Sequence, residues 1–321
     1  MTIQILLLIA GLLLILLGAN YLVEGSSSIA KKSGISEFVI GLTIVGIGTS
    51  TPEMVVSFMS AIKGNADISI GNIVGSNIFN TMLILGVTAL ISPLVITKTN
   101  LRRDIPMNII ATMLLILLGL NQTIFGIGSN TLSRIDGLIL LSLFAYYLYT
   151  SFKNDSSEEE VEEEGGEIKL YSGLISAIMI VGGLAGLIFG GRLFVDSATE
   201  IATLLGVSDA FIAITVMAGG TSLPELATCV VAAAKKRGQL ALGNILGSNV
   251  SNILLILGGS SLINPLTLKG ITPVDFGTML IGSIFILASA YLFQKKKLDR
   301  IEGAILLLME AGYMTWLIAS I

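Results

Sequence analysis

Long apolar runs separated by short polar connections make up most of this chain. Runs of roughly 20 residues are what a helix needs to cross a hydrocarbon core of ~30 Å, and counting them predicts ten transmembrane helices. The runs lie near 3–23, 37–62, 69–92, 105–122, 133–152, 170–191, 209–234, 240–263, 273–293 and 301–320. Glycine and proline interrupt several of them, so we predict that the second, third, seventh and eighth helices are broken or kinked and form the core.

Two motifs within these runs occur twice, each at an offset of 172 residues. GTSTPE at 48–53 recurs as GTSLPE at 220–225, and GNIVGSNIFN at 71–80 recurs as GNILGSNVSN at 243–252. Over residues 48–94, the two copies agree at 22 of 47 positions. A duplication of this length predicts that the chain consists of two related halves.

The repeated unit contains five predicted helices. RIDG at 134–137, where the fifth helix begins, matches RIEG at 300–303, where the tenth begins. An odd number of helices reverses the orientation of the second copy, and inverted repeats are typical of secondary transporters. We therefore predict an all-α integral membrane protein with ten transmembrane helices in two inverted five-helix repeats. Its parts are the first repeat at 1–152 with its motif region at 37–92, an acidic linker at 153–168, and the second repeat at 169–321 with its motif region at 209–264.

The distribution of Lys and Arg predicts the orientation of the chain. Connections on one side carry fourteen of these residues and those on the other side carry three. Because cytoplasmic loops are enriched in positive charge, we expect a multi-pass protein of the cell membrane with both termini outside. The linker then lies in the cytoplasm. Its eight acidic residues between Asp155 and Glu167 are typical of a solvated segment.

Composition narrows the chemistry further. The 321 residues are 53% hydrophobic and 12% charged, and the mean hydropathy of +0.90 lies far above that of soluble domains. The first apolar run has no positive residues before it, so we expect a retained helix rather than a cleaved signal. There is no histidine, and Cys229 is the single cysteine. Any bound cation should therefore be a hard one held by oxygen, such as Na⁺, Ca²⁺ or Mg²⁺.

The duplicated motifs place oxygen ligands in the middle of apolar sequence. Residues three and four apart share a helix face, so each glutamate should lie beside hydroxyl groups, and each proline should kink its helix and free the carbonyl of Gly48 or Gly220. The residues that present such oxygens are Thr49, Ser50, Glu53, Ser76 and Asn80 in the first half and Thr221, Ser222, Glu225, Ser248 and Asn252 in the second. Two glutamates balance one Ca²⁺, two Na⁺ or two protons, which suits exchange of one for another.

With these motifs the chain resembles the calcium/cation antiporter superfamily, and specifically its prokaryotic sodium/calcium exchangers. The resemblance covers essentially the whole chain. It implies that Glu53 and Glu225 are shared ligands of a central Ca²⁺ site and adjacent Na⁺ sites, surrounded by the hydroxyl groups just named. It also implies that the backbone carbonyls of Gly46 and Ala218 take part. Some microbial exchangers have an aspartate where this chain has Asn252, so the centre here has one acid fewer.

The predicted function is therefore antiport of Ca²⁺ against Na⁺ by alternating access, without covalent chemistry, an enzymatic role or a cofactor. A proton/calcium antiporter that uses the same glutamates is the nearest alternative. A cation channel and an intramembrane protease are more distant ones, and the absence of histidine argues against the protease. The expected partners are the transported ions and the lipid bilayer, with no nucleic acid or protein partner, which leaves a monomer as the expected state.

Other polar groups in the apolar runs carry weaker expectations. Glu24 and Asp196 correspond across the repeat near predicted helix ends, where an ion pair or a structural acid is expected; Arg192 lies one turn from Asp196. Glu310 has no acidic counterpart in the first half, and we expect a structural role for it. Both close packing and a functional role remain open for the motif asparagines Asn72, Asn77, Asn244 and Asn249.

Overall fold

The computed structural model describes residues 1–126, 128–155, 168–206, 218–292 and 296–320. Most of the predicted acidic linker at 153–168 lies outside these residues. The described helices are α1 (Thr2–Ser33), α2 (Glu37–Thr49), α3 (Thr51–Ile62), α4 (Ala66–Ile91), α5 (Ile105–Gly119), α6 (Asn121–Phe125), α7 (Arg134–Lys153), α8 (Gly173–Leu204), α9 (Ala218–Gly220), α10 (Leu223–Ala234), α11 (Gly238–Ile263), α12 (Pro273–Leu292) and α13 (Arg300–Ala319). The predicted all-α integral membrane fold is confirmed.

Seven of the helices described are long and apolar enough to cross a membrane, and the bent pair α2 and α3 together would make an eighth. The ten predicted spans therefore remain a prediction. The run at 105–122 forms the 15-residue helix α5, which a short π-helical turn at Asn100–Asp104 precedes. The run at 209–234 is described only from Ala218 onward.

Helices α1 and α8 are longer than the sequence predicted. We expected helices over 3–23 and 170–191, whereas each helix contains 32 residues. The polar serines of α1 at positions 26, 27 and 28 are buried, so contact with protein, and not with lipid, sustains the helix past its apolar run. The two helices pack antiparallel at a very short distance. A Cβ atom at Gly18 would lie 2.7 Å from the carbonyl oxygen of Gly183, an approach that only small residues permit.

The predicted break in the second span is present. Helices α2 and α3 meet at Ser50 at an angle of 49°, and Pro52 lies in the first turn of α3, where its missing N–H costs no hydrogen bond. The turn at Thr221 and Ser222 between α9 and α10 corresponds to this break in the second half.

The third and eighth predicted helices, which we expected to be broken or kinked, are not broken. Helices α4 and α11 run continuously from the first motif residue to the last. Each instead contains a wider π-helical segment, Asn80–Ile84 in α4 and Asn252–Leu257 in α11. Such segments insert one residue into a helix without ending it, and they are frequent at functional sites. Both begin at a motif asparagine.

Helix α11 lies at the centre of the molecule, with 94% of its most apolar stretch buried. Its motif glycines face the backbone of α2. A Cβ atom at Gly243 would lie 2.2 Å from the carbonyl oxygen of Phe38, and one at Gly247 would lie 2.4 Å from that of Leu42. These two glycines therefore bring the second motif of one half against the first motif region of the other.

Two very short antiparallel strand pairs, which the sequence did not predict, link the halves. Strand β1 (Leu94–Val95) pairs with β4 (Lys297–Leu298), and β2 (Thr131–Leu132) pairs with β3 (Leu266–Thr267). Residues of β1 and β3 differ by 172 in number, and those of β2 and β4 differ by 166, so each pair is the counterpart of the other. The side chains of Arg300 and Arg134 donate to carbonyl oxygens 172 residues apart in the same way.

Candidate functional site

The two motif glutamates lie together at the meeting point of the halves. Glu53 in the first turn of α3 and Glu225 in the first turn of α10 are each 1% exposed. Both directly follow the proline in the first turn of their helix, so each glutamate lies beside a helix break. The negative charges of the two carboxylates repel each other, which makes a neighbouring cation favourable.

Hydroxyl groups from the opposite half bind these carboxylates. Ser50 Oγ donates to Glu225 Oε1 at 3.0 Å, and Ser222 Oγ donates to Glu53 Oε1 at 3.2 Å. Thr49 and Thr221 lie beside the carboxylates in the same crosswise manner, next to Glu225 and Glu53 respectively. Helical spacing grouped each glutamate with the hydroxyls of its own motif, whereas the threonine and serine of each GTS motif contact the glutamate of the other half.

The second motif contributes one direct contact and a neighbouring cluster. Ser76 Oγ donates to Glu53 Oε1 at 3.3 Å. Its counterpart Ser248 donates instead to the carbonyl oxygen of Gly46 at 3.1 Å. Gly46 thus lies next to a predicted ligand. Nine of the twelve predicted site residues are connected in this way, namely Glu53, Glu225, Thr49, Ser50, Thr221, Ser222, Ser76, Ser248 and Gly46.

Ala218 and Thr221 are the less well-defined members of the predicted set. Thr221 is half-buried beside Glu53. Ala218 is the first residue of α9, and the residues before it lie outside the described part of the chain. A role for its carbonyl group therefore stays a prediction.

The expectation that Pro52 leaves the carbonyl of Gly48 free was wrong. The side chain of Thr51 donates to that carbonyl oxygen at 2.7 Å, so a local hydroxyl replaces the missing backbone donor. In the second half Leu223 stands where Thr51 stands in the first. A leucine side chain cannot make this bond, so the two helix breaks differ in their hydrogen bonding.

Four buried oxygen atoms of the predicted site have no hydrogen-bond partner among the described residues. They are Glu53 Oε2, Glu225 Oε2, Asn80 Oδ1 and Asn252 Oδ1. They form two pairs related by the 172-residue offset, and all four are acceptors. Buried polar atoms normally have partners, so a matched set of unpaired acceptors indicates a site for a positively charged ligand.

The donor set fits a hard cation and not a transition metal. Carboxylate, amide, hydroxyl and carbonyl oxygens are the ligands of Ca²⁺ and Na⁺. Within the residues described, no group of three or more His, Cys, Asp or Glu side chains could hold a metal ion. The two glutamates are therefore supplemented by neutral oxygens.

The motif asparagines form a hydrogen-bond network between α4 and α11. Asn80 Nδ2 donates to Asn249 Oδ1 at 3.2 Å, and Asn252 Nδ2 donates to Asn77 Oδ1 at 3.0 Å. Asn249 Nδ2 donates in turn to the hydroxyl of Thr81 at 2.8 Å. From the sequence, both close packing and a functional role were open for Asn77 and Asn249. Both asparagines recur at matching positions of the two motif copies, which pointed to a role for them. A single sequence does not reveal their hydrogen-bond partners.

Glu24 forms the ion pair that was one of its two expected roles. Its carboxylate binds the Nζ of Lys235 at 2.6 Å and the hydroxyl of Tyr171 at 2.8 Å. Its expected position near a helix end was wrong, because α1 continues to Ser33. Asp196 is exposed, and in the described part of the chain it forms no ion pair with Arg192.

Glu310 lies inside α13, is 5% exposed, and its Oε2 has no partner among the residues described. We expect Glu310→Met to raise the melting temperature of the purified protein, because an apolar side chain of similar size removes an unsatisfied group worth about 1–3 kcal/mol. Glu302→Met is the matched control. Glu302 Oε2 accepts the backbone N–H of Asp299 in the first turn of the same helix, so its loss should lower the melting temperature. A fall in the melting temperature of Glu310→Met would instead support the structural role that the sequence predicts for Glu310.

The fold and this buried oxygen cluster define an integral membrane protein of the cation-transporter class. The model of the sodium/calcium exchanger protein family matches residues 3–153 and 175–319. The chain belongs to the sodium/calcium exchanger family. It is thus a multi-pass membrane protein and a transporter, not an enzyme, and its activity is antiport of Ca²⁺ against another cation.

Individual relatives extend this similarity over the full length. The chain is 33% identical to the sodium/calcium exchanger MaX1 of Methanosarcina acetivorans, over 98% of each chain. It is 34% identical to the inner membrane protein YrbG of Escherichia coli, over 97% of this chain and 94% of the relative. A solved structure of the sodium-calcium exchanger NCX_Mj, soaked with 10 mM Na⁺ and zero Ca²⁺, superposes with a TM-score of 0.83, 34% identity and 100% coverage of both chains.

Proposed function

We propose that this protein exchanges Ca²⁺ for Na⁺ at a single site between its two halves. The observation that carries the proposal is the set of four buried, unpaired acceptor oxygens on Glu53, Glu225, Asn80 and Asn252. A cation bound between these four oxygens would satisfy all of them at once. Two of the relatives described above are named as exchangers of sodium and calcium, which favours these two ions.

The twelve residues predicted from the sequence are the proposed ligand set. Glu53 and Glu225 supply the negative charge, and the hydroxyls that approach them supply neutral oxygens. The carbonyls of Gly46 and Ala218 complete the set in the proposal. No cofactor takes part, since the transported ions are themselves the ligands.

Charge balance at this site favours exchange over leak. Two carboxylates neutralise one Ca²⁺ or two Na⁺. Leaving both ionised and unpaired inside the membrane would cost at least ~2.5 kcal/mol each. The protein with an empty site therefore does not switch readily between the states open to either side of the membrane. Release of Ca²⁺ leads to exchange only when Na⁺ takes its place.

Alternating access in the proposal uses two inverted five-helix halves, residues 1–152 and 169–321. The crosswise serine–glutamate bonds support this relation, as do the matching strand pairs. In each case, exchanging the halves maps one contact onto the other. Two similar halves can exchange roles so that the site opens first to one side and then to the other.

We propose the orientation that the Lys and Arg distribution predicts. Both termini then lie outside the cell, and the acidic linker at 153–168 lies in the cytoplasm. A cysteine introduced into the linker should react with a membrane-impermeant maleimide only after the cells are opened.

Uptake of ⁴⁵Ca²⁺ into proteoliposomes separates the proposal from its alternatives. We expect uptake when Na⁺ is trapped inside and diluted outside. We expect no uptake when a pH gradient is imposed at zero Na⁺, because the serine and threonine hydroxyls around the carboxylates provide a cage that a proton does not need. Empty liposomes and a Glu53→Gln protein serve as controls.

The other outcomes each support a different function. Uptake driven only by the pH gradient would identify a proton/calcium antiporter and overturn the sodium proposal. Ca²⁺ flux that continues without any counter-ion on the opposite side would identify a channel. Dependence on the sodium gradient with no effect of a pH gradient is the result that supports exchange of Na⁺ for Ca²⁺.

A further inference from the structure

We infer that Asn77 and Asn249 are positioning residues, which hold the amide groups of Asn252 and Asn80 so that their oxygens are available to the transported cation. This inference rests on the proposed function, in which Asn80 and Asn252 are ligands. It assigns a role to two residues for which the sequence left both close packing and a functional role open.

An asparagine side chain presents an oxygen on one side of its amide plane and an NH₂ group on the other. A buried cation is attracted to the oxygen and repelled by the NH₂ group. An asparagine ligand must therefore be kept from turning over by about 180°, and only a hydrogen bond to one end of the amide can distinguish the two orientations.

Asn77 and Asn249 provide this bond in both halves. Asn77 Oδ1 accepts from Asn252 Nδ2 at 3.0 Å, and Asn249 Oδ1 accepts from Asn80 Nδ2 at 3.2 Å. Because an oxygen can bind only the NH₂ end, each bond turns the oxygen of its partner in the opposite direction. Those two oxygens are the ones that remain unpaired.

The positioning residues are themselves held in one orientation. Asn77 Nδ2 donates to the backbone carbonyl oxygen of Asn249 at 3.1 Å, and Asn249 Nδ2 donates to Thr81 Oγ1 at 2.8 Å. With its NH₂ group engaged, each presents its oxygen to the ligand asparagine. All four asparagines are at most 1% exposed, so bulk water does not compete for these bonds.

Double-mutant cycles test the inference, and the symmetry of the two halves supplies control pairs of residues that are not hydrogen-bonded to each other. Asn77→Leu and Asn249→Leu keep the branched shape and the number of heavy atoms but remove the accepting oxygen, while Asn80→Ala and Asn252→Ala remove the proposed ligands. Four double variants are compared, each by the apparent KM for Ca²⁺ in sodium-driven uptake. The bonded pairs are 77 with 252 and 249 with 80, and the unbonded pairs are 77 with 80 and 249 with 252.

Each single variant should raise the apparent KM for Ca²⁺ roughly tenfold, the size expected for one hydrogen bond or ligand contact to a charged group. In a bonded pair the double variant should be no worse than Asn252→Ala or Asn80→Ala alone, within about twofold. In an unbonded pair the two effects should multiply to roughly a hundredfold. The maximal rate should change less than KM.

The outcomes distinguish this inference from the function on which it rests. If the wild-type protein shows no sodium-driven uptake, the proposed function fails. If Asn80→Ala and Asn252→Ala leave KM unchanged, the asparagines are not ligands and the inference fails with that assignment. If they raise KM but the bonded and unbonded pairs behave alike, Asn77 and Asn249 are packing residues only.

Folding is monitored by the melting temperature and the elution volume of each variant. Where leucine prevents folding, alanine at the same position replaces it, because it removes the same oxygen without adding bulk. The two symmetry-related bonded pairs are independent arms, so a folded cycle for either pair decides the question. Coupling in that cycle supports positioning, and multiplicative effects overturn it.

Discussion

Replacing Glu53 or Glu225 with glutamine should abolish sodium-driven Ca²⁺ uptake, with a loss of roughly a hundredfold or more. Each substitution preserves side-chain volume but removes one of the two negative charges at the site. A loss of about 2.5 kcal/mol or more in cation stabilisation within the membrane corresponds to such a factor. The glutamine side chain also brings an NH₂ donor to a site where the glutamate has a buried, unpaired acceptor oxygen. Initial rates of ⁴⁵Ca²⁺ uptake measure the effect.

Glu310→Gln is the matched control for these two variants. It makes the same chemical change at another intramembrane glutamate that is buried and has an unpaired oxygen. We expect its uptake rate to equal that of the wild type. The melting temperatures of Glu53→Gln and Glu225→Gln should not fall, because the change relieves repulsion between two carboxylates. Transport at a near-normal rate by either variant would remove that glutamate from the site.

Substitution of Gly243 by alanine should produce the second largest effect, this time through packing. The added Cβ would lie 2.2 Å from the carbonyl oxygen of Phe38 and 3.0 Å from the backbone nitrogen of Leu42. Both are backbone atoms, so α2 and α11 must move apart. Overpacking of this kind typically costs about 1–3 kcal/mol and occasionally more. Uptake should also be lost, because the shift separates Ser248 from the carbonyl of Gly46.

Gly277→Ala is the appropriate control for this glycine. Position 277 lies within α12, and a Cβ there would meet nothing within 4 Å. Alanine should be neutral or stabilising at this position, since it favours a helix over glycine by about 1 kcal/mol. The melting temperatures of the two variants are compared in thermal unfolding experiments that monitor tryptophan fluorescence or aggregation. Equal melting temperatures for Gly243→Ala and the wild type would contradict the close packing of α2 and α11.

The sequence alone was sufficient to predict the membrane class and most of the proposed site. Apolar runs predicted the long helices because a membrane leaves few alternatives for the backbone. The duplicated motif identified Glu53 and Glu225 because an intramembrane carboxylate is costly unless it is used. The break at Ser50 followed from Pro52.

Features that depend on tertiary contacts were not predictable in this way. The part of α1 beyond its apolar run contains the buried Ser28, whose partners Tyr171 and Ser176 lie far away in the sequence. The π-helical segments at Asn80 and Asn252 have no established pattern in the surrounding residues. The strands Leu94–Val95 and Thr131–Leu132 are too short to produce an alternating pattern, and they exist only because a partner strand lies beside them.

The pairing of hydroxyl and carboxylate was the most consequential error. A helical pattern places Ser50 on the same face as Glu53, but the break at Ser50 redirects that serine toward Glu225. The periodicity of a helix holds only within that helix. A residue that interrupts one therefore cannot be assigned a face from spacing alone.

The crosswise bonds also make the two carboxylates mechanically interdependent. Ser50 and Ser222 each belong to one half and bind the acid of the other, so a displacement that separates the halves breaks both bonds together. Water would then reach both acids in the same event. In the proposed exchange, ions held between the two acids would therefore be released in one concerted step.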